Sequence, residues 1–144
     1  MKVSLKSYAT VIGIVILLTT ISINAQSRGT MKITIPFEFI VAGNTFKAGD
    51  YTIKRFNPQN RSILILKAIK GDSKKIFLTH KIISKKSVET PKIVFTKIGS
   101  SHFLSQIWSD STGIGFQVFK GKQERKMERL GEFNREEVMI ARKD

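Results

Sequence analysis

The stretch Ile93-Val94-Phe95-Thr96-Lys97-Ile98-Gly99-Ser100-Ser101-His102-Phe103-Leu104-Ser105-Gln106-Ile107-Trp108 sets the reading of this chain. Two runs of β-branched and aromatic residues flank Gly99-Ser100-Ser101, the pattern of a β-hairpin with a three-residue loop. Simple alternation along the second run sends Phe103 and Ile107 to one face and Leu104 and Trp108 to the other. A hairpin that is apolar on both faces predicts a place near the middle of a core, with the remaining strands built against it.

Upstream, Met31, Ile33, Ile35, Phe37 and Phe39 alternate with Lys32, Thr34, Pro36 and Glu38, the strongest period-two signal in the chain. Pro36 has no N–H to give to a ladder, so this strand is expected to lie at an edge or to break into two pieces there. Gly43-Asn44 and Gly49-Asp50 carry turn chemistry, with Phe46 anchoring the loop between them. Strands follow at Tyr51 to Phe56, at Ser62 to Lys67 and at Ile76 to Ile83. Turns at Asn57-Pro58-Gln59-Asn60 and Lys70-Gly71-Asp72-Ser73 separate them. The unbroken apolar run Ile63-Leu64-Ile65-Leu66 reads as a strand covered on both sides. In the third strand Ile76, Leu78, His80 and Ile82 oppose Phe77, Thr79, Lys81 and Ile83. Ile114 to Phe119 is expected to form the last strand.

Short strands at this spacing, joined by Gly, Asn, Asp and Pro turns, predict an all-β, single-domain antiparallel small barrel or sandwich of about seven or eight strands. After Gly121 the pattern changes. Residues 123–130 are helix-permissive, with Met127 and Leu130 as apolar anchors, and Phe133, Val138, Met139 and Ile140 suggest a second short amphipathic piece. The expected organisation is thus a segment 1–25, a β domain 26–119 and a charged C-terminal helix or partly disordered tail 120–144.

Residues 1–25 have the make-up of an export signal. Lys2 and Lys6 precede an apolar stretch from Ala9 to Leu18, no acid occurs in the segment, and Ala25 supplies the small residue before a cleavage site ahead of Gln26. The expected location is therefore periplasmic or extracellular. A retained N-terminal membrane anchor is the alternative, although two threonines and a serine interrupt the apolar run.

Cleavage there takes two lysines from the formal +14 of the 144-residue chain and leaves +12. Residues 26–119 hold 15 basic and 5 acidic side chains, so the strand region carries most of the positive field. Such a field favours polyanionic partners. An envelope protein, an acidic glycan, an anionic lipid surface or a small apolar ligand between sheet faces are the expected classes. Export weighs against nucleic acid, even though aromatics and lysines share strands.

No cysteine is present, so neither disulfides nor thiol chemistry is available. The two histidines, His80 and His102, have no zinc-ligand spacing around them, and no cofactor loop is legible. A Ser-His-Asp set could be drawn from Ser105, His102 and Asp110, but no nucleophile-elbow or oxyanion-loop pattern accompanies it. The expectation is a protein that is not an enzyme, uses no metal or cofactor and serves as a binding or interaction module at the cell envelope or outside the cell. The alternatives are a structural assembly subunit that pairs an open edge strand near Pro36 or after Phe119 with a neighbour, and an enzyme with no recognisable motif. The candidate ligand-facing residues are Tyr51, His80, His102 and Trp108, for which core or rim positions are the ordinary alternative.

Three segments taken together, Ile35-Pro36-Phe37-Glu38-Phe39, Ala48-Gly49-Asp50-Tyr51-Thr52 and Phe103-Leu104-Ser105-Gln106-Ile107-Trp108, resemble a group of small exported bacterial β-rich proteins. Those share a signal peptide, an Ile-Pro-Phe-x-Phe strand, an Ala-Gly-x-Tyr turn and a Phe-Leu-Ser-x-x-Trp strand. The resemblance spans about residues 32 to 125 and implies an exported, single-domain β protein. It assigns no catalytic residue. The chain departs from that pattern after its last expected strand: Val118-Phe119-Lys120-Gly121 stands where the group has Leu-Pro and a serine.

Overall fold

The structure, a computed structural model, describes residues 29–86, 88, 90–130 and 135–141. Residues 1–25, the expected export signal, and the expected cleavage point Ala25–Gln26 lie outside the described residues, as does Phe133. The described chain is mostly β, one open, mixed but mostly antiparallel sheet with a short helix near the C-terminus.

The strands are β1 (Thr30–Ile35), β2 (Phe39–Val41), β3 (Asn44–Phe46), β4 (Gly49–Asn57), β5 (Asn60–Ala68), β6 (Lys74–Ile83), β7 (Lys92–Ile98), β8 (Ser101–Trp108), β9 (Ile114–Val118) and β10 (Arg135–Ala141). Helix α1 (Lys122–Arg129) sits between the last two. The main path runs β1-β4-β5-β6-β9-β8, and β8 then pairs with β7, which pairs with β10. The β2–β3 hairpin joins the other edge of β8 through a parallel bridge, Ile40 to Phe103. Strand β8 thus borders three others, the central place expected of its hairpin.

Both readings of Pro36 hold. The alternating stretch breaks at 36–38 into β1 and β2, and β1 pairs with β4 alone among the described residues. The turn into β3 is Ala42-Gly43 rather than Gly43-Asn44, with φ of 46° and 84° at its two central residues, as a type I′ hairpin requires. Gly49 and Asp50 open β4 instead of forming a turn. Between β7 and β8 the loop has two residues, not three: Ile98 pairs with Ser101, and Gly99 takes φ 60° at the first central position.

The face assignment along β8 needs correcting. Val94 pairs with Gln106 but Phe95 pairs with Leu104, so Ser105 is an extra residue, a β-bulge. The bulge shifts the alternation by one, and Leu104 and Ile107 both enter the main core while Phe103 and Trp108 face the other way. It also falls where the neighbour of β8 changes from β2 to β9.

One core gathers Met31, Ile33 and Ile35 of β1, the inward residues of β4, β5 and β6, and Ile93 and Phe95 of β7; Ile140 of β10 packs against it. Side chains from both ends of the strand order reach the same cluster, so the sheet curls around it and its other face is convex. Phe39 stacks on Phe46 and meets Tyr51 and Phe95 edge-on, at centroid distances of 5.1 to 5.5 Å.

Part of the convex face is covered. Met127 of α1 packs on Ile40, Ile98 and Phe103. Val88, from the segment before β7, packs with Val94 and Trp108. The helix is braced by Lys120 Nζ donating to Glu128 Oε1 at 2.6 Å, and it buries Glu124. Of the two expected anchors Met127 docks, but Leu130 is exposed. The expected second amphipathic piece is instead strand β10, antiparallel to β7 with Val138 opposite Phe95, so Ile114–Val118 is not the last strand.

Candidate functional site

Among the described residues the two ends of the sheet come together without pairing. Strand β1 pairs only with β4 and β10 only with β7 among the described residues, and residues of β1, Asp50 of β4, Ile69 and Ile140 of β10 together line a cleft of about 420 Å³. Ile33, Pro36, Ile69 and Ile140 line its apolar part, and Lys32, Thr34 and Asp50 its polar part. Thr34 Oγ1 donates to Asp50 Oδ1 at 2.6 Å across the β1–β4 pair. A cation, a carboxylate already holding one hydroxyl and two strand edges suit an extended, amphipathic guest.

A second feature lies on the convex face. Ile63 pairs with Leu78 and Ile65 with Ile76, and these four side chains point away from the core. Phe119 joins them: its N–H donates to the Leu78 carbonyl at 3.3 Å. Ile76, Leu78 and Phe119 are 46%, 58% and 54% exposed, far beyond what a packed strand leaves open. Next in register stand Lys54, opposite Ile65, and the directly opposed pair Lys67 and Lys74. The result is an apolar row with a basic margin.

The four candidate ligand-facing residues do not converge. Tyr51 is buried in the main core between Phe39 and Phe46, and its hydroxyl donates to the Lys47 carbonyl at 2.6 Å. Burial pushes its pKa above the ordinary value. It is a core residue, not a ligand-facing one. Trp108 is likewise buried, packed on Val88 and Val94, with its Nε1 donating to Gln106 Oε1 at 3.1 Å. The Gln106 amide in turn donates to Gln117, and Gln117 to Ser105 Oγ, each at 3.4 Å.

His102 is half-buried and stacks on Phe37 at 4.1 Å, at the opposite end of β8 from Trp108 and so roughly 20 Å from it along the strand. His80 is exposed on the convex face, 5.2 Å from the Phe119 ring, and so is the one candidate beside the apolar row. Asp110 accepts from the Thr112 N–H at 3.0 Å within its own turn, while Ser105 is engaged by Gln117. Among the described residues no three His, Asp or Glu side chains gather as a metal site would require.

The sequence anticipates an open edge near Pro36, but neither the apolar row nor the cleft beside that edge. The residues of the row were visible, but β6 is apolar on both of its faces, and nothing local says which face turns inward. The seam depends on β10, whose residues carry no strand period of their own. Comparison with protein-family models, with curated proteins and with solved structures finds no match for this chain.

Proposed function

We propose that this chain is an exported protein that catalyses no reaction and acts as a binding or interaction module at the cell envelope or outside the cell. The observation that carries this reading is the exposed row Ile76, Leu78 and Phe119 beside Lys54, Lys67 and Lys74. Contiguous apolar surface rimmed by polar groups marks places where folded proteins meet partners. The same convex face is covered elsewhere by α1 and by Val88, so its bareness over β5 and β6 is local. The export-signal pattern of residues 1–25 and the resemblance to small exported β-rich proteins support the location.

Cell fractionation tests the reading. The chain is expected in the exported fraction and in association with envelope material, and Leu78→Asp with Phe119→Asp is expected to release it in soluble form. A chain that stays in the cytoplasm, or whose distribution ignores both substitutions, would overturn it.

The edge of β1 beside the cleft, unpaired among the described residues, favours a second reading: a structural assembly subunit that pairs edge strands with a neighbour. Size-exclusion chromatography over a range of salt separates the two. Edge pairing yields an oligomer indifferent to salt, whereas a complex held by the lysines dissolves as salt rises.

A further inference from the structure

We propose that the convex face of β4, β5 and β6, with Phe119, docks on an anionic lipid surface. This rests on the binding-module reading and names the partner of the same face. Its layout is ordered. Lys67 and Lys74 stand opposite each other at one end of the apolar row, with Lys54 on the flank of Ile65. Toward the other end lie His80, and Arg61 two residues before Ile63 and hence on the same face of β5. From residue 51 to 83 the sequence contains eight lysines and arginines and a single acid, Asp72.

Like charges placed directly across two strands disfavour the sheet unless something negative sits over them. A second copy bringing the same face would set lysine against lysine, so self-association there is opposed by charge. The shape narrows the choice further. The core lies on the concave side of the curled sheet, and this face bulges outward with Leu78 and Phe119 protruding. A convex surface suits a deformable layer better than a rigid partner. Apolar side chains would enter the headgroup boundary while the lysine heads reach lipid phosphates along their own stems.

The test is vesicle co-sedimentation of the chain as cells export it, using phosphatidylcholine alone and an equimolar mixture with phosphatidylglycerol. Because every variant shares the same N-terminus, any pull from that end cancels in the comparison. Binding is expected on the mixed vesicles, much weaker on phosphatidylcholine, and falling with added salt. Lys67→Gln and Lys74→Gln should each weaken it about fivefold. Leu78→Ser with Phe119→Ser should weaken it on mixed vesicles with the thermal midpoint unchanged.

Equal binding to both vesicle types, or lysine variants that bind like the parent chain, would overturn the proposal. If no vesicle binds but the substitutions still release the chain from its envelope fraction, the lipid proposal falls and the module reading stands. If neither readout moves, both fall. Salt dependence of the parent chain decides the matter even where a variant fails to fold.

Discussion

Tyr51 is the only tyrosine after Tyr8, so a chain that begins at Gln26 reports its ionisation without overlap. Packing against Phe39 and Phe46 withholds water from the phenolate and raises the pKa above 10.0. The fold therefore favours the neutral ring. That contribution is complete below 10.0 and is lost as pH climbs through the raised folded value. Tyrosinate absorbance should show a midpoint above 10.0 in the native protein and near 10.0 in denaturant, and Tyr51→Phe should remove that loss of stability at alkaline pH. A native midpoint at the ordinary value would discard burial as the cause. Gly115 makes a second prediction. It pairs with Ile82, and a Cβ built there would lie 2.6 Å from Trp108 Cε3, with the indole held by Gln106 and packed on Val88. Gly115→Ala should cost about 1–3 kcal/mol by overpacking. Denaturant unfolding followed by Trp108 fluorescence measures it, and an unchanged midpoint refutes the clash. A lone glycine inside a strand pattern is a readable sign of such close approach, so this contact could have been anticipated from Ile114-Gly115-Phe116.

At the scale of elements, the β2–β3 hairpin carries backbone strain. Ala42 holds φ at 46°, in the left-handed region where a Cβ crowds its own carbonyl, and Gly43 follows at 84°. The start of α1 leans on this turn: a Cβ at Gly121 would come within 3.4 Å of the Gly43 nitrogen. Asn tolerates the left-handed conformation and Asn-Gly is the favoured I′ pair, so Ala42→Asn should raise stability by about 0.5–1 kcal/mol. A denaturation midpoint that stays put or falls would mean that the turn is not strained. Elements also mark how far the chain could be read from its residues. The break at Pro36 was legible because a missing N–H is a local fact, and so were the turns at 57–60 and 70–73 and the existence of the β7–β8 hairpin. The bulge at Ser105 was not, since nothing in Leu104-Ser105-Gln106 distinguishes an extra residue from an ordinary one. Strand β10 was missed for a related reason. Arg135-Glu136-Glu137-Val138-Met139-Ile140 has no strand period of its own, and its conformation is dictated by pairing with β7.

For the whole molecule, the same limit explains why a mostly β fold was legible while its strand order and its surfaces were not. Strand content follows from composition and period, whereas strand order is a matter of long-range pairing, and the chain joins residues 92–98 to 135–141 across α1. That pairing decides what becomes an edge. With β10 in place the apolar strand β7 is flanked on both sides, by β8 and by β10, and Ile93 and Phe95 are fully buried. Without it β7 would present an exposed edge rich in Ile, Val and Phe, the kind of template on which chains aggregate. A chain ended after Leu130 should therefore unfold over a broader and lower temperature range than the full chain and should associate as concentration rises. Ile140→Asp, which sets a charge against the main core, should move the midpoint in the same direction by a smaller amount. Trp108 gives a local readout, because Lys92 pairs with both Trp108 and Ala141 and so ties the end of β10 to the indole's strand. Light scattering with tryptophan fluorescence through a thermal ramp measures both effects. A shortened chain that stays monomeric and melts with the parent would show β10 to lie outside the cooperative unit, and with it the seam against β1 would lose its second wall.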